Sequence, residues 1–285
     1  MAEIQTMAVI GAGTMGSGIA QVAAMGGLTV TLIDAAPDAL AKGVARIQDS
    51  LARVVKKGTL SAADSDAAQQ RIGSSGELTG AKNADIVVEA IFEDEAVKRA
   101  TWQKLDAICR PDAILASNTS SISITQLAAV VKHPERFIGM HFFNPVPVMK
   151  LVEVIRGNRT TDSTCATVVE LSKRLGKTPI EVNDFPGFVS NRVLMPLINE
   201  AIFAVFEGVA KPEAIDEIFK LGMAHPMGPL QLADFIGLDV CLNIMEVLQR
   251  GFGDPKYRPC PLLRQMVASG KLGRKSGAGF YVYAK

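Results

Sequence analysis

The sequence predicts an α/β fold in which a doubly wound, mostly parallel sheet is followed by an all-α C-terminal domain. Three observations lead there. Short apolar runs alternate with longer amphipathic stretches through the first half; a glycine loop joins the first apolar run to the first amphipathic stretch; and strand-like alternation stops at Asn183-Asp184-Phe185-Pro186-Gly187. Strands buried on both faces read as continuous apolar runs, and the helices that cover them read with a 3.6-residue period. A chain of 285 residues is long enough for two domains, and the turn-rich cluster divides it into residues 1–184 and 185–285.

In chain order, Met7-Ala-Val-Ile10, Thr29-Val-Thr-Leu-Ile-Asp34, Ile86-Val-Val-Glu-Ala-Ile91, Ala113-Ile-Leu-Ala-Ser117 and Phe137-Ile-Gly-Met-His141 read as strands. Helices fit between them at Gly13 to Gly26, Ala39 to Lys57 and Glu95 to Cys109. Two further strands, Leu151 to Ile155 and Thr178 to Val182, flank a helix from Ser163 to Leu175. Beyond the cluster, helical runs at Phe188 to Glu207, Pro212 to Leu221, Leu230 to Arg250 and Pro261 to Ser269 are punctuated by Gly and Pro. Their largely apolar character suits a homodimer interface as well as a core.

The formal net charge is +1, with both signs spread along the chain, which argues against nucleic acid or an anionic membrane as partner. No apolar run approaches the ~18 to 20 residues that span a bilayer. Met1 to Thr6 run directly into a strand, which leaves no room for a signal peptide, so the expected location is cytoplasmic. Cys109, Cys165, Cys241 and Cys260 form no CxxC pair and read as ordinary thiols; no metal is expected.

The loop Gly11-Ala12-Gly13-Thr14-Met15-Gly16 gains meaning from its place between a strand and a helix, with Asp34 closing the next strand 18 positions after Gly16. Gly11 allows the tight turn, Gly13 lets a pyrophosphate approach, and Gly16 lets helix and strand pack closely, as in a Rossmann-type domain. The helix beginning at Thr14 and Met15 offers N–H donors and a positive dipole end to the phosphates. Asp34 suits the adenosine ribose hydroxyls and would repel a 2′-phosphate. No Arg or Lys follows it before Lys42, so NAD is favoured over NADP. Flavin enzymes use the same loop, but the second half lacks the sheet regions that would enclose an isoalloxazine ring.

Of three histidines, His133 and His225 lie in polar or proline-rich connections, whereas His141 ends an apolar strand and precedes Phe142-Phe143-Asn144-Pro145-Val146-Pro147. Parallel sheets place ligands at that end of their strands, and an imidazole suits proton abstraction near neutral pH. Glu153, in the apolar strand Met149-Lys-Leu-Val-Glu-Val-Ile155, is costly to bury without a partner, and His141 is the natural one. Taken singly, a structural histidine stands level with a base, and an outward-facing Glu153 is the plainer reading. On the helix from Ala39 to Lys57, Arg46, Ser50, Arg53 and Lys57 share one face by spacings of four, three and four, and Val44, Ile47, Leu51 and Val54 line another. A solvated polar face is the plainer account of the first.

Ser117-Asn-Thr-Ser-Ser121, His141 through Glu153, Asp184-Phe-Pro-Gly-Phe-Val-Ser-Asn-Arg192, Ala224-His-Pro-Met-Gly-Pro-Leu230 and the closing Gly-Ala-Gly-Phe-Tyr281 resemble the L-3-hydroxyacyl-CoA dehydrogenases, above all the bacterial 3-hydroxybutyryl-CoA dehydrogenases. The resemblance covers essentially the whole chain. It implies that His141 is the acid/base toward the 3-hydroxyl, that Glu153 orients it, and that Ser120 and Asn191 hold the reacting oxygen. It further implies NAD contacts at Glu93, Lys98, Ser120, Asn144 and Lys275, and coenzyme A contacts at Ser50 and Lys57. Arg53 joins the last two by helical spacing. The implied reaction moves hydride from C3 of a 3-hydroxyacyl-CoA, such as 3-hydroxybutyryl-CoA, to C4 of the nicotinamide, or reduces acetoacetyl-CoA in reverse. Two alternatives stand beside it: a dehydrogenase of a free 3-hydroxy acid, for which the basic helix face has no use, and a non-catalytic NAD-binding structural protein, which has no need of Ser120, His141, Glu153 and Asn191 together.

Overall fold

The computed structural model describes residues 3–283. Contacts divide the chain into two compact units that meet between Asp184 and Phe185.

The first unit runs β1 (Thr6–Ile10), α1 (Thr14–Met25), β2 (Thr29–Ile33), α2 (Pro37–Lys56), α3 (Ala62–Gln70), β3 (Ile72–Ser75), β4 (Ile86–Glu89), α4 (Glu95–Ile108), β5 (Ile114–Ser117), α5 (Ile124–Ala128), β6 (Phe137–Phe142), β7 (Leu151–Arg156), α6 (Asp162–Arg174) and β8 (Thr178–Asn183). The strands form one sheet in the order β3-β2-β1-β4-β5-β6-β7-β8. Every pairing is parallel except β6 with β7, which run antiparallel with His141 opposite Glu153. Successive strand residues point to opposite faces, and both faces are covered. Met7, Val9, Val30, Leu32, Ile86 and Val88 pack against Ile19, Ile47 and Leu51 of the helices α1 and α2. On the other face, Trp102 of α4 meets Phe137 edge to face at 4.9 Å. This is the doubly wound, mostly parallel arrangement expected.

Two elements escape the periodicity argument. β3 is Ile-Gly-Ser-Ser, an edge strand with almost no apolar content, held by parallel pairing to β2. α3 is mostly Ala, Asp, Ser and Gln, and starts because the Ser61 side chain accepts from the Asp64 amide.

The second unit comprises α7 (Ser190–Phe206), α8 (Pro212–Gly222), α9 (Pro229–Ile236), α10 (Leu238–Phe252) and α11 (Pro261–Ala268). Its core includes Met195, Ile198, Ile202, Leu230, Leu238, Met245, Leu248 and Leu263. The expected single helix from Leu230 to Arg250 is two helices, because Gly237 sits at φ +106°, which ends α9. The following Gly-Ala-Gly-Phe-Tyr segment is clasped by Asp234, which accepts from the Phe280 and Tyr281 amides at 3.0 Å each, and by Asp216, which accepts from the Tyr281 hydroxyl at 2.7 Å. Burial and the Asp216 carboxylate push the Tyr281 phenol well above its ordinary range. Among the described residues, no helix is long and apolar enough to cross a membrane.

Candidate active site

The sheet order reverses between β2 and β4, on either side of β1, and a cleft of about 660 Å³ opens beyond the carboxyl ends of these strands. Gly11, Gly13, Thr14, Met15 and Asp34 line it, together with Ala35, Ala36, Ile91, Phe92 and Lys104. Such switch points are where open α/β sheets bind nucleotides. The glycines are required by space. Gly11 sits at φ +102°, where a Cβ would fall 2.6 Å from the Ala90 carbonyl oxygen, and a Cβ on Gly16 would fall 1.8 Å from that of Gly11. At Gly13 nothing lies within 4 Å of where a Cβ would be, so the backbone there faces open room. The N-terminus of α1 has no side-chain cap and no acidic residue in its first turn, which leaves its amides for an anion. Asp34 accepts from the Ala12 amide at 2.8 Å and the Ala36 amide at 3.0 Å, which fixes its carboxylate at the end of β2. A dinucleotide fits this donor set: amides and dipole for pyrophosphate, carboxylate for ribose hydroxyls.

Beside the cleft lies a buried charge network that sequence reasoning only half found. Lys98 of α4 is 1% exposed and its ammonium lies 2.5 Å from Oε1 of Glu89 and 3.3 Å from Oε2 of Glu93. Glu89 ends β4 with no exposure at all; it also accepts from the Ser117 hydroxyl at 2.7 Å and the Ile91 amide at 2.9 Å. Glu93 turns its other oxygen to the loop after β5, accepting from the Thr119 hydroxyl at 2.6 Å and the Ser120 amide and hydroxyl at 2.8 and 3.2 Å. Burial works against the Glu93 charge, but Lys98 and these donors outweigh it and hold the carboxyl below its ordinary range. Glu89, Ser117 and Thr119 were not singled out from sequence. The charge inside Ile86-Val-Val-Glu-Ala-Ile91 is the signal that marks Glu89, by the same reasoning that picked out Glu153.

His141 and Glu153 meet across the one antiparallel pairing, with Nδ1 2.8 Å from Oε2. A carboxylate only accepts, so Nδ1–H donates and Nε2 becomes the basic nitrogen of the ring. Both side chains are buried, and the Phe143 ring lies 4.5 Å from the imidazole. The neighbouring loop is tied in, because Asn118 accepts from the Phe142 amide at 2.8 Å. Ser120 and His141 thus stand at the carboxyl ends of adjacent strands, β5 and β6.

On α2, Arg46, Ser50 and Arg53 line a groove of about 280 Å³ with Asn144 to Pro147 and Thr14. Arg46 is partly engaged already, donating to the Ala12 carbonyl and the Ser17 hydroxyl at 3.2 Å each. Lys57 caps the C-terminus of α2 and is exposed. Asn191 and Lys275 belong to the second unit. Asn191 is buried in the first turn of α7, and Lys275 is ion-paired with Asp239.

Comparison with known proteins agrees with this geometry. The sequence profile of the 3-hydroxyacyl-CoA dehydrogenase NAD binding domain matches residues 6–185, and that of the family's C-terminal domain matches residues 187–283. A Bacillus subtilis protein described as a probable 3-hydroxybutyryl-CoA dehydrogenase is 60% identical over 281 residues, covering 99% of this chain and 98% of its own. A 3-hydroxybutyryl-CoA dehydrogenase of Bradyrhizobium diazoefficiens is 52% identical, covering 99% of this chain and 96% of its own. The crystal structure of (S)-3-hydroxybutyryl-CoA dehydrogenase from Ralstonia eutropha superposes with a TM-score of 0.97 at 55% identity, covering 99% of this chain and all of that one. With its NAD-binding sheet and its helical C-terminal domain both matched, this chain belongs to the 3-hydroxyacyl-CoA dehydrogenase family.

Proposed function

We propose that the protein catalyses the reversible, NAD-dependent oxidation of a short (S)-3-hydroxyacyl-CoA, namely 3-hydroxybutyryl-CoA, to the 3-ketoacyl-CoA. The observation that carries this reading is the 2.8 Å His141–Glu153 pair at the carboxyl end of a sheet whose switch point holds a dinucleotide cleft. The relatives' short four-carbon substrate supports the chain length.

In the proposed mechanism Nε2 of His141 takes the proton of the 3-hydroxyl, and Glu153 holds the ring's orientation and stabilises the imidazolium that forms. NAD, when bound, supplies the hydride acceptor for C3. Ser120 and Asn191 hold the reacting oxygen, and Gly11, Gly13, Thr14, Met15, Gly16, Asp34, Glu93, Lys98, Ser120, Asn144 and Lys275 form the cofactor site. Ser50, Arg53 and Lys57 take the coenzyme A; the groove lined by Ser50 and Arg53 supports that assignment. Residues 1–184 bind the cofactor, and residues 185–285 bind substrate and pair two copies into a homodimer. Exposed Val193, Phe206, Val209, Ile218 and Leu221 on the helical unit support the pairing. Four free cysteines fit a reducing compartment, and the cytoplasm is the proposed one.

The test is to mix the protein with acetoacetyl-CoA and NADH and follow loss of NADH absorbance. Rapid oxidation is expected. No turnover rejects the assignment, and equal turnover of free acetoacetate favours the dehydrogenase of a free acid.

A further inference from the structure

We propose that Glu89, acting through Lys98, is a positioning residue of the cofactor site: it keeps Glu93 on the turn at residues 119–121 and leaves the Glu89–Lys98–Glu93 cluster with one net negative charge, which favours oxidised nicotinamide. This rests on the reading that the nicotinamide end of NAD lies beside Glu93 and Ser120.

The distances carry the positioning half. Lys98 lies 2.5 Å from Glu89 but 3.3 Å from Glu93, so Glu89 is its principal partner. That arrangement leaves Oε1 of Glu93 to accept from Thr119, Ser120 and Ser121. With Glu89 neutral, the buried ammonium has Glu93 as its sole carboxylate partner among the described residues. Attraction across so short a gap in a poorly screened site then draws Glu93 off the turn. Ser120 loses the Glu93 carboxylate as a result.

Charge supplies the other half. Two carboxylates and one ammonium sum to −1, and all three lie between the end of β4 and the first turn of α4, the stretch that also supplies Ile91 and Phe92 of the cleft wall. A buried ion pair is a poor device for stability alone, since apolar side chains of similar size do as well. What it does supply is a fixed charge at a fixed point. The nicotinamide ring is cationic in NAD+ and neutral in NADH, so a fixed negative charge separates their affinities.

Glu89→Gln keeps the shape and changes the sum to zero. Dissociation constants are measured on the full chain by NADH fluorescence titration and by NAD+ competition. The expected result is NAD+ binding weakened about fivefold to tenfold with NADH within about twofold, and kcat lowered about tenfold with KM for acetoacetyl-CoA little changed. The double variant Glu89→Gln/Lys98→Met restores the sum to −1 through Glu93 alone. Its ratio of NAD+ to NADH affinity is expected to return toward that of the parent, and because it removes both partners of the pair it remains folded. A ratio unchanged in Glu89→Gln, or one that stays displaced in the double variant, overturns the proposal. Failure of the parent to bind NADH at all overturns the cofactor reading beneath it. Loss of acetoacetyl-CoA turnover alone, with the affinity ratios as expected, leaves this inference standing and rejects only the substrate.

Discussion

Glu89 and Glu153 are two carboxylates with nearly identical burial and different proposed tasks. Each sits in an apolar strand at the carboxyl end of the sheet, at 0% and 3% exposure, and each has a basic partner, at 2.5 and 2.8 Å. Glu89 faces the ammonium of Lys98. Glu153 faces the imidazole of His141, the group proposed above as the acid/base. In the proposed reading the first pair is a fixed support for the cofactor, whereas the second carries the proton of the reaction. Burial alone does not distinguish the two roles; the chemistry of the partner does.

The sharpest way to break that comparison is to disable the titrating partner. His141→Ala is expected to lower kcat by about 10² to 10⁴-fold, and Glu153→Gln to lower it severely as well, while NADH titration shows near-normal binding in both. Near-normal kcat in the His141 variant would remove the base assignment. The complementary change is Lys98→Met, which strands the Glu89 carboxylate without its cation. It is expected to cost about 3 to 5 kcal/mol in urea denaturation. An unchanged unfolding midpoint would show that the Glu89–Lys98 pair is not a buried ion pair.

The smallest effect concerns pH. Because the Glu93 carboxyl is held below its ordinary value of 4.5, its ionisation contributes stability that is fully present above that pH and is lost as pH falls through the lower folded value. Glu93→Gln is therefore expected to be less stable than the parent near neutrality, with the gap closing as denaturation is repeated below about pH 4.5. A gap that stayed constant with pH would show that Glu93 acts by packing rather than by charge.

Most of the sheet was legible because its strands are apolar runs and because Gly11 and Gly16 of its loop leave no room for a side chain. β3 was not, since pairing to β2 rather than its own side chains makes Ile72-Gly-Ser-Ser75 a strand. The break at Gly237 was missed because a lone glycine inside a helical pattern is usually tolerated, and only its backbone angle marks the end of α9. In the site, His141 stood out by scarcity and Glu153 by cost of burial. Glu89 carried the same cost but was absorbed into its strand, because its partner Lys98 lies on the Trp102 and Leu105 face of α4, where a lysine reads as a polar interruption rather than as a buried partner.

The antiparallel register of β6 and β7 has a consequence for how this chain tolerates insertion and deletion. His141 and Glu153 share a face because they are directly opposed, and sliding one strand by a single residue would set a valine, Val152 or Val154, against the imidazole and turn Glu153 to the other face. The connecting segment from residue 143 to residue 150 lies outside that pairing, so changes in its length leave the opposition intact. A one-residue shift of either strand, by contrast, separates His141 from Glu153 although the gene still encodes both.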